Sequence, residues 1–193
     1  VKIANRVVHL LSGGMDSVVM LYGLIEQGNE VSALLFDYRQ RHVRELEFAR
    51  YHCRRLDVGS ATIEIPQLRG STLTDGRGGV VVPNRNAILL SLAVNVAAAV
   101  KADVVTFACN RDDAKTFPDC RPSFVRAFNA TLAAADLKVR VCAPYIMLSK
   151  RWIAATGREL GVDLDKTWSC YRGGRRPCGK CPACRKREEA TCA

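Results

Sequence analysis

The chain has 193 residues, 48% of them hydrophobic, enough to bury a full core within the range of a single compact domain. Its 29 Lys and Arg outweigh 19 Asp and Glu to give a formal charge of +10, a balance that suits an anionic partner such as a nucleotide or nucleic acid. No run of about 18 uncharged apolar residues occurs, and Val1–Arg6 lacks the apolar core and cleavage site of a secretory leader, so no membrane partner is expected and the chain reads as soluble and cytoplasmic.

In chain order, apolar β-rich runs predict strands at Arg6–Leu11, Val31–Phe36, Ala61–Ile65, Asp103–Ala108 and Val139–Cys142. Segments of helical composition cover Met15–Gln27, Val43–Leu56, Arg85–Val100, Pro122–Ala134 and Lys150–Leu160. The alternation predicts an α/β fold, a parallel sheet flanked by helices on both faces. Gly28–Asn29 closes the first helix as a C-terminal cap. Residues 66–84 form a loop rich in Gly, Arg and Thr, including "RGSTLTDGRGG", whose length suggests a mobile segment, an active-site lid or a disordered insert. After Leu160 the helical rhythm stops. The expected organisation is therefore an α/β nucleotide-binding domain over 1–160 and a C-terminal, metal-held appendage over 161–193, packed on the same domain.

The segment Ser12-Gly13-Gly14-Met15-Asp16-Ser17 falls where the first strand turns into the first helix, the edge of a parallel sheet at which ligands bind. Two glycines let the backbone turn tightly and present successive N–H groups to a phosphate, and the helix aims its positive end at the same place. Ser12 and Ser17 add hydroxyls. The Walker form is excluded, because its lysine and long arch are missing.

With no leader expected, nine cysteines point to metal binding or catalysis rather than disulfides. Cys53, Cys109, Cys120, Cys142 and Cys192 are scattered, whereas Cys170, Cys178, Cys181 and Cys184 crowd into "CYRGGRRPCGKCPAC". That spacing lets four thiolates converge on one ion, and structural Zn²⁺, one per chain, fits best. An iron–sulfur cluster, which also uses closely spaced cysteines, is the runner-up. Four thiolates with a zinc ion carry −2 in sum, leaving a net charge of roughly +8.

The SGGxDS string resembles the pyrophosphate-binding loop of the PP-loop ATP pyrophosphatases, whose Rossmann-like fold belongs to the HUP class. Joined to "TWSCYRGG" and "PCGKCPAC", to "FDYRQRH" (36–42), "VPNRN" (82–86), "FPDCRPSFVRAFN" (117–129) and "LSKRWI" (148–153), it is similar to the QueC family of 7-cyano-7-deazaguanine (preQ0) synthases. The resemblance spans about Val8 to Cys184. It implies conversion of 7-carboxy-7-deazaguanine and ammonia to the nitrile, with ATP and Mg²⁺, through carboxylate adenylation and an amide.

It also implies roles for residues. Leu10, Leu11, Ser12, Gly13, Gly14, Met15, Asp16, Ser17 and Phe36 would hold ATP, with Asp16 organising Mg²⁺ and Lys150 lending charge to the phosphates. Asp37 would meet Mg²⁺ or the nucleotide. Gln40, Arg41, His42, Arg85, Asn86, Phe117, Asp119 and Trp168 would surround the deazaguanine. In this set Arg85 pairs with a carboxylate or phosphate, Asp119 accepts from the amino-pyrimidine edge, and Phe117 or Trp168 stacks on the ring. The catalytic set would be Asp16, Asp37, Arg85, Asp119 and Lys150. Blander roles compete: His42 and Asp119 could cap helices, Arg85 could serve a surface ion pair, and Cys120 could be a packed thiol.

The chain departs from the family at Arg39 and Asn84, usually glycine, and at "RDDAKTF" (111–117), usually a Tyr-containing "DYSGY"-like stretch. These changes bear on the acceptor side. One alternative is thus a QueC-like enzyme of phage or antiphage defence that stops at the amide or couples the activated deazaguanine to a protein or nucleic-acid amine. The PP-loop sulfurtransferases acting on tRNA are a third class, but the cysteines they would use are already explained as metal ligands. A homodimer and a macromolecular acceptor, the latter suggested by the basic charge, remain open as partners.

Overall fold

The computed structural model describes residues 6–192; the expectation about a leader concerns a segment that, but for Arg6, lies outside them. Five strands, β1 (Arg6–Leu10), β2 (Glu30–Asp37), β3 (Ser60–Glu64), β4 (Val104–Phe107) and β5 (Arg140–Cys142), pair in parallel in the order β3-β2-β1-β4-β5. Parallel strands need crossovers, and the crossovers cover the sheet, which is why the central strands read as unbroken apolar runs. All four residues of β4 are buried.

Alternation along β1 divides the core. Val7 joins one cluster with Val18, Val19 and Leu21 of α1 (Met15–Glu26), Leu46 and Ala49 of α2 (Glu45–Arg55), and Ile153 of α5 (Lys150–Glu159). Val8 joins the other with Leu89, Leu90 and Val94 of α3 (Arg85–Ala99) and Leu132 of α4 (Pro122–Ala134). Helices thus cover both faces, as the alternation predicts. The chain runs outward from β1 to β2 and β3, then returns to place β4 on the other side of β1. This reversal opens a crevice beyond the carboxyl ends of β1 and β4.

His9 fixes the edge of that crevice. It is fully buried, its Nε2–H donates to the carbonyl of Ser17 and its Nδ1 lies 2.9 Å from Thr106 Oγ1. Burial pushes its pKa down to about 4, so a neutral imidazole ties β1, β4 and the first turn of α1 together.

Two expectations change. The last thirty residues are not devoid of helix: α6 spans Pro182–Thr191 and packs on α5. Its sequence, PACRKREEAT, buries only Cys184 and Ala190, so no apolar stripe announces it; Pro182 at its first position is the legible sign. Residues 66–84 are also tied down rather than open. The carboxylate of Asp75 accepts from the backbone N–H groups of Gly70, Ser71 and Arg77, and Ser71, Leu73, Thr74 and Val82 are buried. Among the described residues no helix is long and apolar enough to cross a membrane.

Candidate active site

A cavity of about 250 Å³ opens at the crevice, lined by the ends of β1 (Leu10, Leu11), β2 (Phe36) and β4 (Phe107, Ala108) and by the SGGMDS segment. Gly13 has a φ of +86°, and a methyl group there would lie 2.0 Å from the carbonyl oxygen of Glu45 and 2.9 Å from the N of Ala49. Only glycine lets the loop press against α2 in this way. The carbonyl of Gly13 accepts from Trp168 N–H at 2.9 Å, so the loop is held between α2 and the C-terminal segment. Ser17 Oγ donates to the Gly14 carbonyl, and Ser12 Oγ, 3.0 Å from Ser17 Oγ, accepts from Gly14 N–H. No side chain caps the start of α1, which leaves the first-turn N–H groups for a ligand.

Asp16, on that first turn, is held from two sides. Lys150 Nζ donates to both its oxygens at 3.0 and 2.8 Å, and Asn110 Nδ2 donates to Oδ2 at 2.8 Å. Both members of the ion pair are largely covered, with 17% and 14% of their side chains exposed, so this pair is screened far less than a surface one. Burial alone would pull the lysine's pKa down; Asp16 and Asp113 outweigh it, and the pKa is raised. Asp113 lies on the same wall, its carboxyl pushed up by burial and then by the charge of Asp16. Asp16 and Asp113 thus put two carboxyl groups on the phosphate side of the cavity, oxygen donors of the kind a divalent cation takes.

The opposite wall is built by the turn after β2 and the start of α3. His42, Glu45, Tyr38, Arg85, Asn86, Phe117 and Cys120 all line it. Burial, then the charge of Arg85, pushes His42 down to about 4, and its Nδ1 is buried without a partner. Burial pushes Glu45 up to about 8 against the opposing effects of Gln40 and Arg85. The 3.5 Å contact between His42 Nε2 and Glu45 Oε1 therefore joins two neutral groups at pH 7 rather than an ion pair.

Of the sequence-predicted residues, Leu10, Leu11, Ser12, Gly14, Met15, Asp16, Ser17, Phe36, His42, Arg85, Asn86, Phe117, Lys150 and Trp168 meet on this one cavity. Gly13, Asp37, Gln40, Arg41 and Asp119 do not line it. Gly13 backs the loop. Asp37 Oδ1 accepts from Arg39 N–H; Gln40 is buried, accepting from Tyr38 N–H and donating to Phe36 O and Glu45 Oε1. Arg41 points along the 66–84 loop to the carbonyl of Thr72. Asp119 lies behind the wall, its Oδ2 accepting from Asn86 N–H at 3.4 Å and its Oδ1 buried without a partner. Trp168 is packed against Phe48, with ring centroids 5.7 Å apart, and under the guanidinium of Arg44.

Sequence reasoning missed Tyr38, Glu45, Leu73, Asn110, Asp113, Tyr171 and Lys186. The last comes from α6, so the C-terminal segment itself forms part of the wall. Arg39 and Asn84 both adopt left-handed backbone, each with φ of 57°. A glycine at such positions serves conformation, and here the conformation is kept by side chains that do not line the cavity. Neither Arg39 nor Asn84 lines the cavity, whereas the 111–117 stretch contributes Asp113 and Phe117 to its wall.

Cys170, Cys178, Cys181 and Cys184 bring their sulfurs within 4.8 Å of one another, near the separation of about 3.8 Å that tetrahedral thiolates around zinc require. Cys170 Sγ accepts from the backbone N–H groups of Arg172 and Cys178, and Cys178 Sγ from that of Cys181, each at 3.4 Å. Such donors stabilise thiolate, and the set fits a metal ion with four protein ligands. Gly173, with φ of +64°, approaches so close that a methyl group would meet the Arg41 carbonyl at 1.8 Å, which seats the cysteine loop against the turn carrying His42. Arg187 of α6 adds donations to the Thr167 hydroxyl and to the Leu164 carbonyl.

The family model described as queuosine biosynthesis protein QueC matches residues 6–192. A 7-cyano-7-deazaguanine synthase of Hahella chejuensis is 42% identical over 97% of this chain and 89% of its own. That of Methanoregula boonei is also 42% identical, over 96% and 93%. Among solved structures, the U34-tRNA thiolase NcsA of Methanococcus maripaludis, described with its 4Fe-4S cluster, superposes with a TM-score of 0.59 at 16% identity, covering 96% of this chain and 63% of its own. The NH3-dependent NAD synthetase of Campylobacter jejuni gives 0.54 at 22% identity, covering 84% and 67%. At those identities the two structures establish the fold alone.

Replacing Gly13 by Ala tests the close approach of the loop to α2. Left-handed strain of about 1–2 kcal/mol, added to the overlap with the Glu45 carbonyl, should lower the melting temperature by about 5 °C or more and reduce ATP-dependent turnover. An unchanged melting temperature would contradict the packing described.

Proposed function

This chain belongs to the QueC family of queuosine biosynthesis proteins, and we propose that it converts 7-carboxy-7-deazaguanine and ammonia to 7-cyano-7-deazaguanine with two molecules of ATP. The observation that supports this most is the single cavity, in which an uncapped helix start and two lysines face a wall of Arg85, Asn86 and Phe117. One side suits a polyphosphate and the other a planar, anionic heterocycle.

A carboxylate oxygen is a poor leaving group, and joining it to AMP makes it a good one. In the proposed sequence that oxygen attacks the α-phosphorus of ATP and pyrophosphate leaves. Ammonia then attacks the carbonyl carbon and AMP departs, giving the amide. The amide oxygen attacks a second ATP in the same way. Loss of the remaining N–H protons and of the second AMP yields the nitrile, so both carboxylate oxygens leave in AMP.

The N–H groups of Met15–Ser17, in the uncapped first turn of α1, cradle the phosphates, and Lys186 supplies a cation from α6. Lys150 holds Asp16 in place and shares in the same charge field. Mg²⁺ held by Asp16 and Asp113 supplies charge neutralisation for the polyphosphate when bound. Arg85 pairs with the substrate carboxylate, and Phe117 offers the ring a stacking face, since Trp168 is already packed against Phe48 and Arg44. Asp119 acts from behind by orienting Asn86, and Asp37 by closing the turn that carries Tyr38.

We assign the four-cysteine site to a structural zinc ion, because four protein ligands leave no position for a catalytic water. Residues 161–192 then form part of the one domain rather than a separate unit, since they complete its cavity. The relatives carry the name of the nitrile-forming synthase, which does not favour an amide-only or conjugating enzyme with a macromolecular acceptor.

Incubation with 7-carboxy-7-deazaguanine, ATP, Mg²⁺ and ammonium should give the nitrile by mass spectrometry, with two AMP released per nitrile. A product that stops at the amide would overturn the proposal. Elemental analysis of the purified protein should find one zinc per chain; iron with acid-labile sulfide instead would overturn the metal assignment.

A further inference from the structure

Making a nitrile from ammonia strips three protons from one nitrogen, so the reaction needs a group that takes protons at the acceptor side of the cavity. The phosphate side offers no free group, since Asp16 is held by Lys150 and Asn110, and Asp113 beside it is the second carboxyl that would hold the Mg²⁺ of the nucleotide. On the opposite wall one carboxyl group is both buried and open to the cavity.

We propose that the side chain of Glu45 is the proton acceptor for the attacking nitrogen, with His42 positioning the incoming amine. The inference rests on the function proposed above and adds a residue that the sequence motifs did not single out. Glu45 lies on the first turn of α2, and its own carbonyl is the atom against which Gly13 is pressed. Its place is therefore set by the same contact that sets the phosphate loop. Its carboxyl receives a donation from Gln40 Nε2 at 3.4 Å, and Gln40 is itself anchored by Tyr38 N–H and Phe36 O. No ion pair with His42 neutralises it at pH 7, because that imidazole is held uncharged by burial and Arg85.

The groups that face Glu45 account for its chemistry. Gln40, Tyr38 and His42 approach from the turn after β2 and Arg85 from α3, while Tyr171, from the cysteine segment, lies across His42 with ring centroids 6.3 Å apart. Burial dominates, and the carboxyl titrates near 8, a value at which a carboxylate is basic enough to take a proton from an amine under working conditions. His42 lines the cavity and its Nδ1 is buried without a partner, an acceptor that an N–H of the amine would satisfy once the ring turns toward it. The proton balance follows. When ammonia bonds to the acyl carbon and AMP leaves with its oxygen, one N–H proton passes to Glu45. When the second AMP leaves the activated amide, the last two N–H protons depart by the same route, with Glu45 shedding each to water before the next.

The test separates activation from amine attack. Glu45→Gln keeps the shape and the donation from Gln40. Carboxydeazaguanine-dependent ATP–pyrophosphate exchange, which reports adenylation alone, should fall by no more than about threefold, whereas amide and nitrile formation should fall by about 100-fold or more, the usual share of a general base. At saturating free ammonia, wild-type turnover should rise with pH through about 8 and level off, because the carboxyl must be ionised to accept. Glu45→Asp should recover part of the loss. Equal losses in exchange and nitrile formation, or an undiminished nitrile rate, would overturn the role. If Glu45→Gln fails to fold, the wild-type profile decides, and a profile flat in free ammonia would overturn it. A wild-type protein without carboxydeazaguanine-dependent exchange would overturn the proposed function itself.

Discussion

The loop at Gly13 has no room for a side chain, and the site depends on that contact. Pressed onto the Glu45 carbonyl and Ala49 N, the loop takes its position from α2, while its own carbonyl accepts from Trp168. Three parts of the chain far apart in sequence thus meet at one glycine. The uncapped start of α1, the carboxyl of Glu45 and the cysteine segment are consequently fixed relative to one another before any ligand arrives. Preorganisation of this kind is what an adenylating enzyme needs, since the acyl-adenylate must meet the amine rather than water.

Electrostatics divides the cavity in two. Around the phosphate loop, charge is kept and paired: Lys150 with Asp16, and Asp113 beside them. Around α2 and α3, charge is suppressed by burial: His42 is neutral, Glu45 is raised, and Arg85 is the cation that remains. A polyanion and a planar heterocycle placed between these walls would each meet the environment that suits it, and the proton-accepting side faces away from the phosphates.

Much of this was legible in sequence. The five strands and the first five helices fall within two residues of their expected ends, because apolar runs, Gly28 and the prolines mark them. SGGMDS was readable because its residues are contiguous and their placement after β1 has one physical use. The rest was not readable for a common reason. Glu45, Asn110 and Lys186 sit in unremarkable surroundings, a helix start, a loop position and a basic run, and only the topology brings them to one site; Asp113 lies in the 111–117 stretch that the sequence did single out, but nothing there marks it among its neighbours. α6 escaped because a helix that buries two residues in ten leaves no periodic trace. Arg39 and Asn84 looked like changes in the chemistry of the site, yet both keep left-handed backbone that glycine would serve; one sequence does not say whether a glycine stands for space or for a dihedral angle.

The cysteine segment, expected as an appendage packed on the same domain, contributes Trp168, Tyr171 and Lys186 to the cavity wall. Trp168 leads from the loop into it, Gly173 seats it against Arg41, and α6 returns from it to carry Lys186 into the cavity. Hydrogen exchange followed by mass spectrometry, before and after a chelator removes the bound metal, tests this most directly. Amide protection should fall together in residues 170–191 and in the Ser12–Ser17 loop, while the strands of the sheet keep theirs. Loss confined to 170–191, with the loop as protected as before, would contradict the account.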